Sequence, residues 1–179
     1  MWRSDSCVEA ALEDTAKNAI EIIRALGHNR VNLLGLSMGG MIAQEVVRKV
    51  PELIEKLILV GTGPRAGIGI DKVTGVTFSH MLHAAFKRKD MKRYIFYTDD
   101  TIGDFESDKA FVRLKGRTKE FADKPVSIIS FFHQLKAIKK WGTAEKDDLK
   151  FIKQPTLIVN GEQDDMVLFS NTRKIFLKR

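Results

Sequence analysis

Ser37 stands between two glycines in Gly35-Leu36-Ser37-Met38-Gly39, directly after the apolar run Val31 to Leu36. A Gly-x-Ser-x-Gly between a strand and a helix makes a turn tight enough to lift the serine hydroxyl clear of the sheet. A hydroxyl so placed suits nucleophilic attack on a carbonyl carbon, with a base taking its proton. The following helix adds to the chemistry. Its N-terminus favours negative charge, and the backbone N–H of Met38 is expected to face a tetrahedral oxyanion. In so tight a turn, a side chain at Gly35 or Gly39 is expected to collide with the neighbouring helix or strand.

Two rival uses of these glycines fail on a residue that carries the chemistry. A dinucleotide fingerprint needs glycine where Ser37 stands. A phosphate loop fits Gly35 and Gly40 but needs lysine where Met41 stands. No cofactor is expected.

The second group is Asp164 and Asp165, in the stretch Asn160 to Val167, after the short apolar run Thr156 to Val159. A carboxylate at the C-terminal end of a parallel strand shares the serine's edge of the sheet, where it can orient an imidazole. Either aspartate equally suits an Asx turn or a helix N-cap. The four histidines, His28, His80, His83 and His133, all precede these aspartates. His28 is expected to lie exposed in the turn before the serine's strand. His80 and His83 share a helix face at metal-ligand spacing, yet the sequence shows no acidic or cysteine partner for them, and no metal is expected. His133 follows two phenylalanines in an apolar helix. Ordinary surface and packing roles are expected for all four, the alternative being a cap histidine that reaches the serine.

These groups need elements to position them. Leu12, Ala16, Ala19, Ile20, Ile23 and Leu26 recur at helical spacing from about Glu9 to Leu26, and Gly27 supplies the stop. Val31 to Leu36 lacks alternation, the pattern of a strand buried on both faces. Met38 to Val50 is helical until Pro51, and Leu57 to Gly61 and Thr156 to Gly161 read as further buried strands. Helix, strand, helix, strand implies a right-handed crossover between parallel strands. From Thr62 to Asp148 the patterns FSHMLHAAFKRK, AFVRLKGRTKEF and VSIISFFHQLKAIKKW are helical, which suggests a helical insertion over the sheet. The division expected is a first core part at 1–61, a helical cap at 62–148, and a resumed core at 149–179.

Composition sets the outer limits. The chain has 179 residues, 44% hydrophobic and 30% charged, which suits a globular domain with a real core. No apolar run approaches the roughly 20 residues that span a bilayer. The single cysteine, Cys7, and the absence of an apolar h-region at the start point to the cytoplasm. The net charge of +7 lies mostly between Thr62 and Lys150, where 18 Lys and Arg face 12 Asp and Glu on helical patterns. Solvated helix surface explains this without nucleic acid or membrane as partner.

The run from Asn18 to Gly67, together with QLKAIKKWG and LKFIKQPTLIVNGEQDDMV, resembles the α/β-hydrolase superfamily, close to its esterase and cofactor-free haloperoxidase-like branch. The resemblance implies a parallel sheet flanked by helices with a helical cap. It implies Ser37 as nucleophile, Asp164 as triad acid through Gly161 to Asp164, Met38 as oxyanion donor, and a small ester-like substrate. Leu168 departs from the proline often found there. The family's order is Ser, then acid, then His. No histidine follows Asp164, and the strands that usually precede the first helix are not seen. The chain is therefore expected to be an incomplete member, with impaired activity. The alternative is a non-catalytic module that interacts through the open edge of the serine's strand, for instance with a second copy. The cap's Phe78, Met81, Phe86, Phe131 and Phe132 are expected either to line an apolar lid or to form the cap's own core.

Overall fold

The computed structural model describes residues 12–116 and 127–177. Cys7, the Glu9 end of the first expected helix, residues 117–121 of the second cap pattern and Val126 of the third lie outside the described residues.

Three parallel strands form one sheet in the order β1 (Val31–Leu36), β2 (Ile54–Val60), β3 (Thr156–Val159). The helices α1 (Leu12–Ala25) and α2 (Met38–Lys49) alternate with the first two strands, as the hydrophobic spacing predicts. α1 buries Leu12, Ala16 and Ile20, four residues apart on one face. Gly27, at φ 79°, closes it: the N–H groups of Gly27 and His28 donate to the carbonyls of Arg24 and Ile23 at 2.9 and 3.2 Å. This paired capping satisfies the last-turn carbonyls. Pro51 opens the short 3-10 turn Pro51–Leu53 after α2, a position that tolerates its missing N–H.

The main core gathers Ala16 and Ile20 of α1, Ala43, Val46 and Val47 of α2, Leu57 and Leu59 of β2, and Ile175 of the last helix, α7 (Ser170–Leu177). Each fully buried Leu or Ile among them contributes about 1.5–3 kcal/mol. All of these side chains come from one face of the sheet. The register pairs Leu34 with Ile58 and Leu157, and Leu36 with Val60 and Val159, on the other face. There Leu34 and Leu36 are 60% and 57% exposed, and Leu157 and Val159 are 56% and 44% exposed. The expectation of strands buried on both faces therefore fails for β1 and β3. Their apolar runs are two-faced, but among the described residues the helices cover one face.

Between β2 and β3 lie α3 (Val73–Lys87), α4 (Met91–Phe96), α5 (Thr101–Lys115) and α6 (Ile128–Gly142), with no strand among the described residues. α6 is fastened to the loop after β2. Trp141, 4% exposed, donates its indole N–H to the Gly63 carbonyl at 3.1 Å, and its own carbonyl accepts from Ala66 N–H at 3.1 Å. Arg65 lies 5.0 Å from the Trp141 ring centre and donates to the buried Glu45 of α2 at 2.9 Å. The same guanidinium, by its hydrogen bond to Glu13, holds that carboxyl below its ordinary range. A methyl at Gly142 would lie 2.4 Å from the Asp71 nitrogen, so the helix end meets the 3-10 turn Ile70–Lys72 backbone to backbone. No described helix is long and apolar enough to cross a membrane.

Candidate active site

Ser37 has φ 51° and ψ −121°, a left-handed conformation that side chains other than glycine seldom adopt. The turn around it holds the residue there. Ser37 N–H donates to the Val60 carbonyl at 2.8 Å, and its own carbonyl accepts from Gly40 N–H at 2.9 Å. Its hydroxyl makes no capping hydrogen bond to the first turn of α2, so the oxygen is not consumed by the helix it precedes. The Met38 N–H, at the first position of a 12-residue helix, has no intrahelical acceptor.

The glycines divide differently from expectation. A methyl on Gly35 would lie 2.5 Å from the Gly39 carbonyl oxygen and 2.6 Å from the Gly40 Cα, so the approach of strand to helix requires glycine there. Gly39 has nothing within 4 Å of such a methyl, and its expected collision does not occur. Gly40 takes that role instead, because its methyl would run into Thr62 at 2.5 Å. The crowding comes from the loop after β2, which the pentapeptide does not contain. Gln44 holds the same contact from the helix side, donating to the Gly40 and Gly63 carbonyls at 3.0 and 3.2 Å.

The acid loop follows β3. Asp164 Oδ1 accepts from the N–H groups of Met166 and Val167 at 3.0 and 2.8 Å, while Asn160 donates to the Val167 carbonyl at 2.9 Å. The Asx-turn reading of the sequence is thus realised, and it occupies only one carboxylate oxygen. Oδ2 faces Gly61, where a methyl would lie 3.6 Å from it and 3.7 Å from Asn160 Oδ1. That Asn160 oxygen is buried and has no hydrogen-bond partner. Two acceptor oxygens therefore face the end of the middle strand, an arrangement suited to an N–H donor.

Strand register sets the distance between the two groups. Leu36, Val60 and Val159 are aligned across the sheet, and hydrogen bonds from Ser37 to Val60 and from Gly61 to Val159 carry the alignment one residue further. Ser37, Gly61 and Asn160 thus begin three adjacent loops at one edge. Neighbouring strands are about 4.8 Å apart. Because Asp164 Oδ2 leans over Gly61, its carboxylate stands about one strand spacing from the serine's strand rather than two.

Three of the four histidines follow expectation in part. His28 is exposed in the turn before β1, and His83 stacks edge-on against Tyr94 with ring centres 4.6 Å apart. His133 is half-buried in α6, and its Nδ1 has no partner. His80 departs from expectation. Its Nε2 lies 2.9 Å from Asp165 Oδ2, and its side chain is 19% exposed, so the acidic partner missing from the local sequence comes from 85 residues away. No local signal reveals this contact, because it depends on α3 lying across the acid loop. Thr77, one turn earlier, meets the Met166 sulfur at 3.9 Å on the same helix face. Among the described residues no three His, Cys, Asp or Glu side chains form a metal-binding group. Of the expected lid residues, Phe78, Met81, Phe86 and Phe132 are all exposed, Phe86 by 85%, so they do not form a packed core of their own.

The alpha/beta hydrolase fold family model matches residues 3–174. A poly(3-hydroxyalkanoate) depolymerase of Ectopseudomonas oleovorans is 26% identical over 160 residues, which cover 88% of this chain and 53% of that protein. A homoserine O-acetyltransferase of Deinococcus radiodurans is 36% identical over 58 residues, 32% of this chain and 17% of that one. The solved structure of an alpha/beta hydrolase fold protein from Chitinophaga pinensis superposes with a TM-score of 0.81 at 26% identity, covering 94% of this chain and 60% of that chain. The chain thus spans about half the length of the depolymerase.

Proposed function

Because the chain belongs to the α/β-hydrolase fold family, we propose that it is a serine hydrolase of carboxylic esters, with Ser37 as nucleophile and Asp164 as the acid that orients a histidine. The observation that carries this reading is one edge of the sheet. A serine held at φ 51° with an uncapped hydroxyl shares that edge with a carboxylate that accepts through Oδ1 and turns Oδ2 toward the end of the middle strand, free of hydrogen bonds among the described residues. Met38 N–H is the oxyanion donor. Attack by Ser37 Oγ on the ester carbonyl moves charge onto the carbonyl oxygen, and a helix N-terminal N–H stabilises that charge more than the ground-state carbonyl.

The class of substrate is supported by relatives. A poly(3-hydroxyalkanoate) is a chain of carboxylic esters, and an O-acetyltransferase handles an acyl group on oxygen. Small ester-like substrates are the natural choice, under the exposed apolar side chains of α3 and α6 acting as a lid. A single cysteine fits work in a reducing compartment such as the cytoplasm. The test is hydrolysis of a p-nitrophenyl ester series by the chain and by Ser37→Ala and Asp164→Asn. The expected result is hydrolysis that Ser37→Ala abolishes and Asp164→Asn lowers by about 10²- to 10⁴-fold. Undiminished turnover in Ser37→Ala would sink the assignment.

A second reading rests on a separate observation. The apolar sheet face of Leu34, Leu36, Leu157 and Val159, and the unpaired outer edge of β1 among the described residues, favour association with a second copy.

A further inference from the structure

Asn160 follows β3 directly and opens the acid loop, and the two ends of its amide face different ways. We propose that Asn160 is the residue that positions Asp164, closing the acid loop on one side and leaving the second carboxylate oxygen free on the other. This inference rests on the serine-hydrolase reading above and names a residue on which the acid of that reading depends.

Val167 is the fixed point of the loop. Its side chain is 3% exposed, and both of its backbone polar groups are taken. The N–H donates to Asp164 Oδ1 at 2.8 Å, and the carbonyl accepts from Asn160 Nδ2 at 2.9 Å. Asn160 and Asp164 thus grip the same residue, one at each polar group. Met166 N–H adds a second bond to Asp164 Oδ1 at 3.0 Å, and Asp164 N–H reaches the Gly161 carbonyl at 3.3 Å. The Asn160 bond ties the far end of the loop back to the end of β3, with Asp164 between the two ends. Removal of that bond leaves the carboxylate hydrogen-bonded only within its own loop.

The orientation of the amide matters as much as its reach. A carbonyl only accepts, so the bond to Val167 turns the amide nitrogen toward the loop and sends Oδ1 the other way. There Asn160 Oδ1 and Asp164 Oδ2 lie 3.7 and 3.6 Å from one point above Gly61, where a side-chain carbon would stand. With the amide reversed, its N–H groups would face that point and compete for Oδ2. As built, Asn160 offers only an acceptor there. The consequence is a buried Asn160 Oδ1 with no hydrogen-bond partner, a state that folded proteins seldom tolerate and that calls for a reason. In the proposed reaction Asp164 must hold one oxygen in a fixed direction for an N–H donor. Asn160 decides both where the loop stands and what Oδ2 meets, so its effect passes through Asp164.

The test is a double-mutant cycle on p-nitrophenyl ester hydrolysis by the full chain, with Asn160→Ala, Asp164→Asn and the two combined. Fluorophosphonate titration of Ser37 counts the active sites in each preparation, so that kcat is read per reactive serine. Expected for Asn160→Ala are a kcat lower by about 10- to 100-fold and a KM within about twofold of the parent. Added to Asp164→Asn, the same substitution is expected to cost no more than about twofold, because the carboxylate it acts through is already lost. Asn160→Ser keeps a shorter hydrogen-bonding group and is expected to fall between the parent and Asn160→Ala. It carries the test if circular dichroism shows that Asn160→Ala does not fold. A parent-like kcat in a folded variant would overturn the inference, and so would losses that multiply in the double variant. A loss confined to the count of active serines would also overturn it, by assigning Asn160 a structural role alone. Absence of Ser37-dependent hydrolysis in the parent, or full activity in Asp164→Asn, would instead overturn the serine-hydrolase reading and this role with it.

Discussion

At Ser37 the backbone and the side chain serve different ends. The N–H and carbonyl are spent on Val60 and Gly40, fixing the turn, while the hydroxyl is left uncapped. The glycines make this possible unequally, and that gives a prediction. Gly35→Ala places a methyl against backbone atoms of α2 that cannot swing aside, and Gly40→Ala presses on the buried Thr62. Both substitutions are expected to destabilise the fold by about 1–3 kcal/mol, Gly35→Ala the more. Gly39→Ala has open space and is expected to melt within a degree or two of the parent. Thermal denaturation of the three variants checks the order, and equal losses at Gly39 and Gly40 would contradict the assigned contacts. The motif made the serine legible in the sequence. It did not reveal which glycine after the serine matters, because Thr62 enters from a separate loop.

At the scale of elements, helices with one apolar stripe were legible from spacing alone. α1 and α2 follow their periodicity, α1 closing at Gly27 and α2 ending at Val50 just before Pro51. The strands were legible in position but not in burial, since an apolar run carries no information about what covers its second face. The junction between α6 and the core was not legible, for Trp141 meets Gly63 across 78 residues. Trp141→Ala removes a buried ring, its hydrogen bond and the contact with Arg65 at once. A loss of about 3–5 kcal/mol is expected on denaturant unfolding. A loss near zero would mean that α6 does not hold the helical segment to the core.

The helices α4 and α5 carry a pH dependence of known sign. The N–H of Gly103 bonded to Asp100, and Lys89 and Arg93 bonded to Asp104, hold both carboxyls below their ordinary range. Depressed folded-state values mean that this stabilisation is present above the unfolded value, about pH 4, and is lost as pH falls further. Faster amide exchange in α5 at pH 3 than at pH 5, relative to intrinsic rates, is expected. Asp104→Asn should reduce the difference, and an undiminished difference would remove Asp104 from the account.

For the whole molecule, the sheet is the organising fact. It brings Ser37, Gly61 and the acid loop to one edge, covers one face with α1, α2 and α7, and leaves an apolar row on the other. Burial of that row between copies predicts concentration-dependent association. Leu36→Lys with Leu157→Lys should shift the mass measured by light scattering toward the monomer, whereas unchanged association would place the contact elsewhere. Among the described residues β1 lies at the edge of the sheet, and the open face beside it was not legible in the sequence, because it follows from where the helices cross. The sequence pattern likewise left His80 without a partner, since only the folded chain brings α3 to Asp165.

The central claim is that Ser37 is an activated nucleophile, and mass spectrometry of the folded chain after fluorophosphonate treatment tests it most directly. The account predicts one phosphonyl adduct, on Ser37, and none in Ser37→Ala. A folded chain that carries no adduct at Ser37 would contradict it, leaving the turn as architecture without chemistry.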